Sequence, residues 1–91
     1  MTIRVNVKFH GTFYPTVHVD STLLEFTNQA TVADLFEMLK NKFGKPFAEQ
    51  AAKLDYLIVF VNNTEYRQLQ GLQTPLSDGD VVTLGHVVAG G

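Results

Sequence analysis

The stretch Thr31-Val-Ala-Asp-Leu-Phe-Glu-Met-Leu-Lys-Asn-Lys-Phe-Gly44 reads as a single amphipathic helix from one cap to the other. Thr31 offers a hydroxyl at the N-cap and Asp34 a carboxylate three residues later, a capping box with Asp in place of Glu. Val32, Leu35, Phe36, Leu39 and Phe43 recur at helical spacing, so one apolar stripe must pack on something. Asp34 and Glu37 lie toward the start and Lys40, Lys42 and Lys45 toward the end, as the helix dipole favours. Gly44 suits the position after the helix and Pro46 cannot continue it. The helix is expected over residues 31–43.

On both sides of this helix the pattern is that of strands. Ile3, Val5, Val7 and Phe9 alternate with Arg4, Asn6 and Lys8, which predicts a half-buried strand. The alternation breaks between His10-Gly11 and Pro15-Thr16, and a second strand, antiparallel to the first, is expected over roughly Val17 to Phe26. Beyond the helix, residues 46–54 are ambiguous, with room for a short helical turn. Leu57-Ile-Val-Phe-Val61 is apolar at every position, the pattern of a central strand covered on both faces, or covered on one and sticky on the other. Asn62-Asn63 marks a turn, Tyr66 to Gln68 a short edge strand, and Pro75-Leu-Ser-Asp-Gly-Asp80 a second turn before a last strand at Val81 to Leu84. The order β-β-α-β-β-β gives an α+β fold of one mixed sheet, four to five strands, on one main helix. A right-handed crossover is expected to set the first and third strands parallel. This is the β-grasp arrangement of ubiquitin-like proteins.

The 91 residues suit one domain, 45% hydrophobic and 18% charged, with a formal net charge of −2. Cysteine is absent, which excludes disulfides, thiolate metal sites and a cysteine nucleophile. No basic run points to nucleic acid, the alternating N-terminus is not a signal peptide, and no apolar block is long enough to span a membrane. A cytoplasmic address is expected.

The chain closes on Ala89-Gly90-Gly91. Random placement at average glycine usage gives a terminal Gly-Gly in roughly 0.5% of chains. The pair has no side chains and a freely turning backbone, so it can thread a narrow site and present the Gly91 carboxylate. Together with Val61-Asn62-Asn63, Arg67, Gly71-Leu72, Thr74-Pro75-Leu76-Ser77-Asp78-Gly79-Asp80-Val81-Val82 and the Thr31-Val32-Ala-Asp34-Leu35 helix start, this ending resembles the β-grasp sulfur-carrier family. That family holds the small subunit of molybdopterin synthase (MoaD type), the thiamine-pathway carrier (ThiS type) and the small archaeal ubiquitin-like modifiers. The resemblance runs over nearly the whole chain. Thiamine-type carriers are usually shorter, and the Arg67 to Leu72 segment looks more like the archaeal-modifier and cysteine-biosynthesis branches.

The resemblance implies a carrier, not an enzyme, with residues 1–86 as the domain and 87–91 as a flexible tail. A ubiquitin-activating-like adenylyltransferase would adenylate Gly91, and a sulfurtransferase would supply sulfur for a Gly91 thiocarboxylate. ATP, and zinc where the enzyme holds it, would belong to that partner, and no cofactor to this chain. Gly90 and Ala89 would thread the partner's channel. Val87 and Val88 would anchor the tail, and Val81 and Thr83 would dock from the sheet face away from the helix. The favoured pathway is molybdopterin biosynthesis, with the molybdopterin synthase large subunit as a further partner. The alternatives are a modifier joined to lysines through Gly91, or a carrier for cysteine, thiamine or tRNA thiolation.

No catalytic or metal-ligating set emerges. His10, His18 and His86 lack metal-ligand spacing. Asp78 and Asp80 are read as turn residues held by local hydrogen bonds, and Gly71 to Gly79 lacks the phosphate-loop pattern. Phe9 is read as core, with Phe13 and Tyr14 as candidates for an exposed aromatic patch.

Overall fold

The computed structural model describes residues 2–53 and 57–86. β1 (Thr2–Phe9) pairs antiparallel with β2 (Ser21–Thr27), Arg4 opposite Glu25 and Lys8 opposite Ser21. Between them the chain makes a 3-10 turn at Gly11–Phe13 and a single helical turn, α1 (Tyr14–Val17). A two-residue strand, β3 (Ala30–Thr31), leads into α2 (Val32–Phe43), followed by α3 (Lys45–Ala51). The second half holds β4 (Leu57–Val61), β5 (Thr64–Glu65), β6 (Pro75–Leu76) and β7 (Val81–His86). The main sheet has the order β2-β1-β7-β4-β5, and β3 pairs separately with β6. This is the expected α+β, ubiquitin-like β-grasp body.

The capping box at the head of α2 is formed: Asp34 N donates to Thr31 Oγ1 and Thr31 N donates to Asp34 Oδ2. Val32, Leu35, Phe36 and Leu39 are buried, and Phe43 packs at the margin of the core. They meet the inward residues of the sheet: Ile3, Val5, Val7 and Phe9 from β1, Leu24 and Phe26 from β2, Val82 and Leu84 from β7, Leu57, Val59 and Val61 from β4. An aromatic group fills one end. The Phe43 ring meets Phe9 edge-on at 5.7 Å, and Phe47 of α3 lies 5.6 Å from Phe13. Phe13 is therefore core and not surface.

Several sequence expectations are corrected. The parallel neighbour of β1 is the last strand, β7, not the third. β4 is antiparallel to β7 and so runs opposite to β1. The strand that feeds the helix is β2, so the crossover through α2 sets β2 and β4 in one direction, leaving the central slots to β1 and β7. The second strand begins at Ser21, because His18 adopts φ 61° and ends the α1 turn, whose Val17 is buried. Tyr66–Gln68 is a 3-10 turn, and the edge strand is the pair just before it. Glu65 caps that turn by accepting from Arg67 N at 3.1 Å. The final strand runs on to His86. The ambiguous segment is α3, anchored by buried Phe47 and Ala51.

The Ser77 to Asp80 turn fixes how β7 enters the sheet. Gly79 takes φ 90°, which a side chain would strain. Asp80 accepts from Ser77 N and from Asn62 Nδ2, and Asp78 accepts from Arg4 N at 2.8 Å. Asn62, at φ 58°, accepts from Val81 N through its side chain and donates its own N–H to the Val81 carbonyl. Both aspartates thus hold the ends of β1, β4 and β7 together, as structural turn residues.

Candidate docking face and tail root

β7 has two covered strand edges and one uncovered face. Val82 and Leu84 point into the core, and Val81 and Thr83 point the other way, half-buried. The registers extend this open face sideways. Thr83 lies opposite Lys8 of β1 on one side and Phe60 of β4 on the other. Ile58 lies opposite Gly85, and Asn6 lies opposite both Val81 and Leu23. α2 and α3 lie across the other face. The open face therefore combines apolar side chains (Ile58, Phe60, Val81, Leu23) with the cations of Arg4 and Lys8. Leu23 is 57% exposed and Phe60 37%, more than buried packing would leave. Arg4 lies 3.7 Å from Glu25, and both are exposed, so this pair adds little stability.

Gly85 is buried on this same face, where a Cβ would meet the His10 side chain at 3.8 Å. His86, the last described residue, turns to the helix side. Its ring lies 4.6 Å from that of Phe13. Gln50 Nε2 of α3 is 3.4 Å from His86 Nδ1, while the Thr16 hydroxyl donates to Gln50 Oε1. A polar chain from α1 through α3 to β7 thus fastens the root of the tail. Burial pushes the His86 imidazole below its ordinary pKa. A hydrogen bond with Gln50 opposes this, and the Lys53 charge adds to it.

Of the residues singled out from the sequence, Val81 and Thr83 come together on the open face. Val87, Val88, Ala89, Gly90 and Gly91 lie outside the described residues, as does the proposed 87–91 tail. The apolar 57–61 run divides by parity: Leu57, Val59 and Val61 are core, and Ile58 and Phe60 join the face. Gln50 carried no signal in the sequence, because its link to His86 spans 36 positions. Among the described residues, no group of three His, Asp or Glu side chains is placed to hold a metal. No described helix is long and apolar enough to cross a membrane.

The sequence from residue 7 to residue 91 matches the ThiS family. The chain belongs to that family. The match runs from the end of β1 through the C-terminal Gly-Gly, and membership makes the protein one of the small β-grasp carriers and ubiquitin-like modifiers. Among solved structures, the HVO 2177 protein of Haloferax volcanii is 29% identical, with a TM-score of 0.81 over 99% of this chain and 88% of that one. Small archaeal modifier protein 1 from Methanosarcina acetivorans is 22% identical, with a TM-score of 0.80 over 100% of this chain and 99% of that one. A chain of the complex of subunits 1 and 2 of the Helicobacter pylori molybdopterin-converting factor is 25% identical, with a TM-score of 0.63 over 98% of this chain and 100% of that one. No curated protein matches.

Proposed function

We propose that this ThiS-family member is a sulfur carrier whose Gly91 carboxylate is activated and converted to a thiocarboxylate by partner enzymes. The observation that carries this reading is the family match running through Gly91, on a chain whose last strand is the central rail of the sheet. A carboxylate is a poor acyl donor, because its oxygen is a poor leaving group. In the proposed step, a Gly91 oxygen attacks the α-phosphorus of ATP and pyrophosphate leaves. The terminal sulfur of a persulfide then attacks the acyl carbon, and AMP departs with the C–O bonding pair. A thiol cleaves the resulting acyl disulfide, becomes oxidised to a disulfide, and leaves the thiocarboxylate. ATP and any zinc are the partner's, and this chain contributes the substrate end and a docking surface.

The adenylyltransferase is proposed to dock on the open face around Val81, Thr83, Ile58 and Phe60. Val87 and Val88 anchor the tail beyond it, and Ala89 and Gly90 thread the enzyme's channel. A sulfurtransferase supplies the sulfur. Of the receiving pathways, molybdopterin biosynthesis is favoured, with a synthase large subunit as a further partner of this chain. The likeness to the Helicobacter pylori subunit along nearly the whole chain supports that choice. Intact mass of the protein from its own cells tests the reading. An oxygen-to-sulfur mass increase on the C-terminal peptide is expected. Conjugates to lysines, with an unaltered free carboxylate, would instead assign a modifier.

A further inference from the structure

The two edges of the main sheet are built differently. β5 has only two residues and gives way at once to a 3-10 turn, which blunts that edge. β2 is seven residues long, Ser21-Thr-Leu-Leu-Glu-Phe-Thr27, without proline, glycine or lysine. Its one charge, Glu25, is turned toward Arg4. Apart from Glu25, none of the usual devices that protect an outer strand from pairing is present along it.

The ladder phase identifies which backbone groups are open. Phe9 N donates to the Asp20 carbonyl, and the register makes Val7–Thr22, Val5–Leu24 and Ile3–Phe26 the other hydrogen-bonded pairs. Ser21, Leu23 and Glu25 therefore direct their N–H and C=O groups outward. The same three side chains lie on the open sheet face, where Leu23 is the most exposed large apolar residue among those described. On the helix side, a groove of about 410 Å³ runs between this edge and α2, lined by Leu24, Met38 and Lys42 among others.

We infer that β2 pairs antiparallel with β2 of a second copy of this chain, about a two-fold axis at Leu23. Outward groups meet outward groups only when the two residue numbers of each opposed pair are both odd. One such register sets Leu23 against the partner's Leu23, and Ser21 against the partner's Glu25. In that register the charges are complementary. Lys8 lies beside Ser21 in its own sheet, so across the short serine it faces the partner's Glu25. Strand spacings of about 4.8 Å put their Cα atoms about 10 Å apart, within reach of two long side chains. The row then reads Lys8, Ser21, the partner's Glu25, the partner's Arg4, and the two-fold repeats it. Shifting the register by two residues sets Leu23 against the partner's Glu25 in one direction, and in the other against the partner's Ser21, where Lys8 faces Leu23 and no carboxylate. Half-buried Met38 of each α2 borders the groove that the partner strand enters. The pairing makes one ten-stranded sheet and leaves both β7 strands and both tail roots uncovered, so it does not compete with docking at Val81 and Thr83.

An edge contact of this extent belongs to the small, reversible interfaces. Sedimentation velocity from about 10 μM to about 1 mM, the range in which such an interface associates, is expected to show monomer passing into dimer. Leu23→Lys, an exposed substitution that leaves the fold intact, sets like charges across the axis and raises the dissociation constant on the order of tenfold or more. The chain has no cysteine, so Leu23→Cys gives one thiol at the axis and is expected to form a disulfide dimer on mild oxidation, whereas Ser21→Cys forms far less. A monomer at every concentration overturns the inference. So does equal cross-linking of the two cysteine variants, or a monomer whose β2 amides shift only when an activating partner is added.

Discussion

His86 is the last described residue of β7 and packs against Phe13 on the helix side, so its protonation state bears on the stability of the body. Burial against Phe13 holds its pKa below the ordinary 6.5. The sign follows from linkage: the unfolded chain takes up this proton more readily than the folded one. Above pH 6.5 both states carry a neutral imidazole and nothing is lost. As pH falls through 6.5 the unfolded state gains, and stability drops until pH passes below the folded value. The wild-type urea midpoint is expected to fall between pH 7 and pH 5 more than that of His86→Asn. Parallel losses in the two proteins would show that the imidazole carries none of the effect.

Gly91 makes the complementary case, the residue proposed to carry the chemistry. A Cβ there restricts φ and widens a strip that, on the proposed function, enters a narrow site. Gly91→Ala is expected to leave the thermal midpoint unchanged and to lower adenylation on the order of 100-fold, the scale of an ångström-sized misplacement of reacting groups. ATP–pyrophosphate exchange with the activating enzyme checks it, and exchange at the wild-type rate would remove Gly91 from its assigned role.

At the scale of elements, α2 was the most legible part of the chain, because its cap, its stripe and its stop signal agree. Thr31 and Asp34 each satisfy the other's backbone N–H. Thr31→Ala removes one of the two bonds and is expected to cost about 1 kcal/mol, read from chemical unfolding. α3 was not legible, for physical reasons. Its seven residues carry one buried i, i+4 pair, Phe47 and Ala51, and Pro46 reads equally as a stop for α2 and as a first turn for α3. The short strand expected at Tyr66 to Gln68 failed differently. Tyr66-Arg67-Gln68 alternates as well as any strand, but the Glu65 carboxylate caps a turn there, and the Arg67 guanidinium reaches back to the Leu57 carbonyl at 3.1 Å. Strand direction was the largest gap. Periodicity tells which face of β4 is buried but not which neighbour it takes. The central slot went to β7 through the hydrogen bonds of the Asp78 to Asp80 turn with Arg4 and Asn62.

At the scale of the molecule, the position of β7 joins fold to function. A strand flanked on both sides is held more rigidly than an edge strand. Its inward residues, Val82 and Leu84, are fully buried, so the outward ones and the tail root inherit a fixed position. The candidate face was half legible from the sequence. Val81 and Thr83 follow from parity along the strand. Leu23 and Lys8 join them only through the registers of β1 with β2 and β7. The proposed function separates recognition from chemistry: docking would use the face, and reaction a glycine five residues beyond His86, the last described residue. A substitution on the face should therefore change affinity and leave turnover alone. Val81→Asp sets a carboxylate on the open side of β7, where the core does not depend on the side chain. Placed in an interface that excludes water, that unpaired charge is expected to raise KM for the activating enzyme on the order of tenfold or more. With saturating carrier, kcat should stay near the wild-type value, since the tail still reaches the same channel. Steady-state kinetics of Val81→Asp beside Gly91→Ala make the comparison: KM moves in the first and kcat in the second. A Val81→Asp variant that lost kcat at unchanged KM would place the docking surface elsewhere on the molecule.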